Sequence, residues 1–210
     1  MDENRQPGIV LLAAGASRRM GRPKQLLPVA GRPLLRISTE VASGIGASPV
    51  VVVLGSEAEP MATALAGLPV HVAINQDWAE GLGSSLRFGM RTALDLRPGL
   101  PAVIVLLADQ PDVSPGHLQD LITAWNETGR TLIASSSGGV LQPPALFAAR
   151  WFSGLLALRG DAGARDLFHE HPASVAAVPL AGATDIDTPD DYLKYVSALR
   201  KDFDARYRFT

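Results

Sequence analysis

The sequence predicts an α/β fold in three layers, a mostly parallel sheet with helices on both faces (a Rossmann-like architecture). Three observations predict it. Short β-branched runs recur along the 210 residues, with longer amphipathic stretches between them. Those runs are apolar throughout instead of alternating, as strands buried on both faces must be. The chain is 47% apolar and 19% charged, enough to bury a sizeable core and unlike a disordered tail or a coiled coil.

In order, Ile9–Ala13 reads as a buried strand, followed by a Gly/Arg loop and a helix from about Pro33 to Ile45. Pro49–Leu54 is the second strand, with a short helix near Glu57–Ala66 behind it. Val70–Ile74 is the third, and a loop over Asn75–Gly83 leads into a helix at Ser84–Leu96. Ala102–Leu107, the most apolar run, ends at Ala108-Asp109-Gln110-Pro111. Ser114 caps the next helix with Pro115 just inside it, as first turns favour. Leu132–Ser135 reads as a strand, Ser135–Pro144 as a mobile loop, Phe147–Leu158 as a helix and Ser174–Val178 as a late strand. A turn at Asp185–Pro189 opens the last helix, Asp190 to about Phe203. Right-handed crossovers place ligands at the carboxyl ends of such strands, so the loops after Ala13, Ile74 and Leu107 should meet in one cleft.

Absence of cysteine removes disulfide scaffolds, thiolate zinc sites and cysteine nucleophiles. A net charge of −2 gives no global case for nucleic acid or a membrane surface. Met1–Gln6 is polar, and the apolar run Gly8–Ala14 is too short for a signal segment, so a soluble, cytoplasmic protein is expected. The charge is unevenly placed, however. Between Asn4 and Thr39 no acidic residue occurs, while Arg5, Arg18, Arg19, Arg22, Lys24, Arg32 and Arg36 all fall there. The carboxylates lie downstream, several just after apolar runs, a distribution suited to a polyanionic ligand that travels with a metal ion.

The first loop reads Leu12-Ala13-Ala14-Gly15-Ala16-Ser17-Arg18-Arg19-Met20-Gly21-Arg22-Pro23-Lys24. Gly15 and Gly21 allow backbone amides close to a phosphate, Ser17 adds a hydroxyl, Arg19 matches phosphate oxygens bidentately and Lys24 is a point charge. It is not a Walker loop, because Arg22-Pro23-Lys24 follows Gly21 where Lys-Ser/Thr is needed. Nor is a dinucleotide fingerprint present, since Gly81-Leu82-Gly83 is followed by Leu86 where a third glycine belongs.

What the loop does match is Gly-x-Ser-x-Arg-Met-Gly-x-x-Lys directly after a strand ending Leu-Ala-Ala. This resembles the signature of the MobA-like nucleotidyltransferases, most nearly the molybdenum cofactor cytidylyltransferases. Further segments resemble that family in order: Asn75–Leu86, Leu106–Pro111, Pro144–Phe147, Gly160-Asp161-Ala162-Gly163-Ala164-Arg165 and Asp185–Pro189. The resemblance covers about Ile9 to Tyr192 and divides a single domain, 1–210, into a nucleotide half (about 7–112), an acceptor half (about 113–192) and a C-terminal helix and tail (190–210).

The resemblance implies transfer of CMP from CTP to the terminal phosphate of molybdopterin or molybdenum cofactor, with release of pyrophosphate. Arg19, Lys24 and Asp109 would be the catalytic residues, the cations holding the triphosphate. Leu12, Ala13, Ala14, Gly15, Ser17, Asn75, Gly83, Ser84 and Ser85 would bind the nucleotide, the free amides and hydroxyls at a helix start reading the base. Pro144, Asp161 and Arg165 would face the acceptor. Asp109 and Asp187 would hold Mg²⁺, with Mn²⁺ as the alternative ion and Asp185 a weaker competitor for the second position. Leu-Ala-Ala-Gly resembles the cytosine-using branch and Leu-Ala-Gly-Gly the guanine-using one, the Ala14 methyl narrowing the pocket. An apo-molybdoenzyme is the expected recipient of the product.

Rival readings are guanylyl transfer to the same pterin, transfer to a sugar or polyol phosphate and, in another class, a non-catalytic maturation factor that carries the cofactor. The Ser135–Pro144 segment departs from the family's usual aromatic and Gly-His-Pro step, which bears on the acceptor and leaves the nucleotide half intact. Trp78 reads as a lid or wall of the cleft. His169-Glu170-His171 reads as a solvated helix end, and His71 and His117 as structural. Phe203, Tyr207 and Phe209 in the tail could pack back on the body or meet a partner.

Overall fold

The computed structural model describes residues 5–161, 163–182 and 184–207, those from 201 on by backbone alone. Ala162 of the Gly-Asp-x-Gly-Ala-Arg motif and the side chains of Phe203, Tyr207 and Phe209 lie outside the described residues.

Five buried residues in a row form β1 (Gly8–Leu12) and again β4 (Val50–Leu54), and β6 (Ala102–Leu107) is nearly as enclosed. β4 and β6 flank β1 in parallel, and β5 (His71–Ile74) pairs in parallel with β4 at the sheet edge. β7 (Leu132–Ser137), β8 (Val140–Ala148) and β9 (Val175–Pro179) complete a seven-stranded sheet of order β5-β4-β1-β6-β8-β7-β9. Only β8 runs antiparallel to its neighbours, β6 and β7. The chain moves outward from β1 to one side and then returns to lay β6 on the other. The loops after β1 and β6 therefore splay apart at a switch in strand order, where ligands bind in such sheets.

Alternation along β1 divides the core. Ile9 and Leu11 join the cluster beneath α1 (Leu34–Ser43), α2 (Ala58–Ala64) and α4 (Pro115–Thr128), while Val10 and Leu12 join the opposite one. The second cluster packs under α3 (Leu82–Leu96), α5 (Phe152–Ala157) and α6 (Arg165–Glu170). Helix α3 lies close over the sheet because Gly89 has no side chain; a Cβ there would come within 2.6 Å of both Val10 and Val53. A small third cluster of Met20, Leu27, Val29, Leu34 and Ile186 seats the tiny hairpin of β2 (Pro28–Val29) and β3 (Arg32–Pro33) beside α7 (Pro189–Tyr207). Ser114 caps α4 by accepting the His117 amide at 3.1 Å.

Two expectations are overturned. Ser135–Pro144 is a β-hairpin instead of a mobile loop: Gly138 and Gly139, at φ 55° and 81°, make the tight turn between β7 and β8. Pro143 and Pro144 cannot donate to the ladder, and the register shifts at Ala134/Ser135 to pass over them. Phe147–Leu158 is not one helix. Phe147 belongs to β8, buried and stacked on Phe168 at 5.7 Å, and only Phe152–Ala157 is α-helical.

Candidate active site

The loops after β1, β5 and β6 do converge. Leu12, Ala13, Ala14 and Gly15 from the first, Trp78 and Gly81 from the second, and Ala108 and Asp109 from the third line one cleft of about 430 Å³. A Cβ at Gly15 would meet no protein atom, so the space it leaves belongs to the cleft.

The first loop is braced from within by Gln25, which the sequence reading passed over. Its buried amide nitrogen donates to Ala13 O and Gly15 O at 3.0 and 2.9 Å, and its oxygen accepts from the Ser17 hydroxyl at 3.0 Å. The same hydroxyl accepts the Lys24 amide at 3.1 Å. Ser17, at φ 52°, is thus a strut of the loop, and its hydroxyl hydrogen is directed at Gln25 instead of into the cleft. A polar residue buried beside the motif lysine was the signal, but its partners are named only by tertiary contact. Arg18 also lines the cleft and was not singled out.

Charge concentrates at one end. The Lys24 ammonium donates to Asp109 Oδ2 at 2.5 Å and to Asp187 Oδ1 at 2.7 Å, and Arg19 donates to Asp187 Oδ2 at 2.8 Å. Two cations and two carboxylates from three distant stretches of chain therefore form one neutral cluster. Burial pulls the Lys24 pKa down, yet the Asp109 and Asp187 carboxylates outweigh it and the net pKa lies above its ordinary value. Burial pushes Asp187 up, but Lys24 and Arg19 hold it below the usual carboxylate range. Backbone bonding sets the cluster: the Ile186 amide donates to Asp109 O at 3.1 Å, which ties the segment carrying Asp187 to the end of β6. Capping of α7 falls to Thr188 and Asp191, so Asp187 is left facing the cations. Asp185 turns elsewhere and accepts from Gln110 at 3.1 Å.

The residues expected to read a base divide. Asn75, buried, donates to Ser84 and Ser85 at 3.0 and 3.2 Å, and Ser84 donates to Asp77 O at 2.9 Å. Asn75 and Ser84 therefore fix the turn before α3, and Ser85 is the one of the three that lines the cleft. The Gly83 amide is not free as expected; it donates to Gly160 O at 2.9 Å. Trp78 stands as a wall of the cleft, seated against Gly55, where a Cβ would approach its own at 2.6 Å.

Across Leu12, Leu82, Leu107 and Asp161, which line both spaces, lies a second cavity of about 370 Å³. Pro143, Phe147 and Phe168 give it apolar walls, and Asp161, Arg165 and Asp166 give it a charged margin. Pro144 is buried behind this wall, its carbonyl accepting from Ser135 at 2.6 Å, so it supports the cavity through Pro143. His117 completes that support, its Nε2 2.7 Å from the Ser135 hydroxyl.

Divalent metal is implied by the family pattern, and one observation tests the fit. Asp109 Oδ1 is buried without a hydrogen-bond partner, a free anionic oxygen beside Asp187, as a hard cation needs. No group of three or more His, Cys, Asp or Glu residues able to hold a metal occurs among the described residues. His169, Glu170 and His171 are exposed at the end of α6, with the His171 ring centroid 4.6 Å from that of Trp151.

The Gly/Arg loop and the paired carboxylates thus meet in a cleft at the switch in strand order, with a second cavity beside it, and the comparisons identify the class as nucleotidyltransferase. Residues 9–175 match the MobA-like NTP transferase domain, and the chain belongs to that family. It is similar to the purine catabolism protein PucB of Bacillus subtilis (strain 168), 34% identical over 196 residues that span 87% of this chain and 92% of that one. It is likewise similar to nicotine blue oxidoreductase of Paenarthrobacter nicotinovorans, 33% identical over 190 residues, 85% of this chain and 91% of the other. Among solved structures, Rv0371c from Mycobacterium tuberculosis H37Rv superposes at a TM-score of 0.80 with 30% identity, over 91% of this chain and 97% of its own. A manganese complex of that protein gives 0.77 and 29%, over 92% and 99%. Among the described residues, no helix is long and apolar enough to cross a membrane.

Proposed function

We propose that this nucleotidyltransferase moves CMP from CTP onto the terminal phosphate of molybdopterin or the molybdenum cofactor and releases pyrophosphate, with Mg²⁺ or Mn²⁺ in the cleft. The observation that carries the reading is the Arg19–Lys24–Asp109–Asp187 cluster at one end of a cleft that opens into a second, apolar-walled cavity.

The acceptor needs no general base. A phosphate monoester has a second pKa of about 6 and is mostly dianionic at neutral pH. Its oxygen bonds to the α-phosphorus as the bond to the β-phosphate breaks, and pyrophosphate carries the charge away. Lys24 and Arg19 neutralise that departing charge, while Gly15 leaves room for the phosphates to approach the backbone. Asp109 and Asp187 would hold the divalent ion, which supplies charge neutralisation at the phosphate oxygens. Trp78, Ala14 and Ser85 enclose the base, the Ala14 methyl favouring a pyrimidine over a purine. Manganese in a relative of the same fold supports the choice of ion.

Apolar walls that include the stacked Phe147 and Phe168 suit a fused heterocycle better than a sugar. At the margin, Asp161 can accept from the amino-pyrimidine edge of a pterin, and Arg165 can meet its phosphate. Pyrophosphate release with Mg²⁺ and molybdenum cofactor, run in parallel with CTP, GTP, ATP and UTP, tests the reading. Release with CTP alone is expected. Release with GTP would keep the chemistry and overturn the base assignment, and silence with all four would overturn the proposed reaction in favour of another acceptor or a non-catalytic carrier of the cofactor.

A further inference from the structure

Cleft and cavity are joined by more than a shared wall. The turn that enters α3 carries Trp78, Gly81 and Leu82 to the nucleotide side, and residues 158–161 carry Asp161 to the boundary. These two turns are hydrogen-bonded to each other. Gly83 N donates to Gly160 O at 2.9 Å, and Gly81, at φ 111°, lies so close that a Cβ would fall 2.5 Å from Asp161 Oδ1 and 2.6 Å from Gly160 O. Arg87, one helical turn further along α3, spans both. Its NH1 donates to Leu158 O at 2.5 Å and its NH2 to Glu80 Oε2 at 3.2 Å, with the side chain 15% exposed. Arg87 lines neither cavity, so nothing in its position serves direct contact with either substrate.

We propose that Arg87 is a positioning residue that locks the turn before α3 to the 158–161 turn, so that nucleotide bound in the cleft orders the acceptor cavity and the two substrates bind as a coupled pair. The proposal rests on the nucleotide reading of the cleft. Its physical basis is that a turn held on both sides by a planar guanidinium cannot shift alone: a base that settles the 80–83 turn also settles the carbonyls of Leu158 and Gly160. Coupling of this kind is reciprocal, so the acceptor tightens the nucleotide by the same factor that the nucleotide tightens the acceptor.

Hydrogen–deuterium exchange of the full chain, with and without Mg²⁺ and CTP, reads the linkage without turnover. In the wild type, CTP should slow exchange over residues 12–25 and 80–85, and also over 158–161, the last by about fivefold or more. In Arg87→Met the protection over 12–25 should persist and that over 158–161 should be lost, with partial return in Arg87→Lys. Protection of 12–25 and 80–85 with none at 158–161 in the wild type overturns the coupling and leaves the nucleotide reading standing. Protection at 158–161 that survives in Arg87→Met removes Arg87 from the linkage. No protection anywhere overturns the nucleotide reading and the coupling with it. The wild-type comparison stands even if Arg87→Met folds poorly.

Discussion

At the scale of single residues, the site is a balance of charges. Asp109 faces Lys24 with one oxygen and leaves the other buried and unpartnered. Asp109→Asn keeps the shape and removes the charge, so pyrophosphate release should fall by about 10²-fold or more; near-normal turnover would take Asp109 out of the metal site. Gly55 makes a second case, because an added methyl would press on Trp78 and on Ala14 O at 2.6 and 2.8 Å. Gly55→Ala should raise the nucleotide KM by about tenfold, in line with the ~1–3 kcal/mol that overpacking costs, and should shift the Trp78 emission; an unchanged KM would mean that Trp78 does not wall the base. Arg19 and Lys24, Asp109 and Asp187 stand out in the sequence because each lies in a short motif of its own. Gln25 and Arg87 do not, because their partners, Ala13 and Gly15 for one and Leu158 for the other, are carbonyls that only the folded chain brings near.

Among the elements, α7 shows how a cap can serve a site. Asp191 accepts from the Thr188 amide and hydroxyl at 2.9 and 2.7 Å, and the Asp191 amide reaches back to Thr188 at 3.3 Å. That reciprocal cap fixes the residue just before it, Asp187. Thr188→Ala should cost about 1 kcal/mol of stability in denaturant unfolding and should weaken nucleotide binding as Asp187 loses its orientation. A stability loss with unaltered nucleotide affinity would separate the cap from the site. Strands buried on both faces were legible because their composition is uniform, as in Val50–Leu54 and Ala102–Leu107. β8 was not. Its Gly138-Gly139 turn lies among serines and its prolines imitate a loop, while Phe147 heads an apolar run that fits a helix or a strand equally well until β6 pairs with it.

For the molecule as a whole, the buried His117–Ser135–Pro144 chain couples α4 to the β7–β8 hairpin. Burial lowers the His117 pKa below 6.5, with the Asp120 charge opposing in part. The unfolded chain therefore takes up this proton first as pH falls. Stability from neutral His117 is complete above about pH 6.5 and declines as pH falls below it toward the folded pKa. Thermal unfolding between pH 7.5 and 5 should show this slope, and His117→Gln should flatten it; an equal slope in both would assign the effect to other groups. The parallel core from β5 to β6 is contiguous in sequence and could be foreseen as a unit, whereas the far side required knowledge of which strand inserts where.

The reversed strand β8 carries one further consequence. The cluster's Arg19, Lys24 and Asp109 lie between β1 and the end of β6, only Asp187 coming from beyond β9, and the far part of the sheet is joined to this half by the single seam of β6 against β8, Ala102–Val105 facing Ala145–Ala148. Since β8 supplies Pro143, Ala145 and Phe147 to the second cavity, new side chains on one hairpin would reshape that cavity while leaving the first loop and the end of β6 as they are; on the proposed function, they would re-specify what receives the nucleotide.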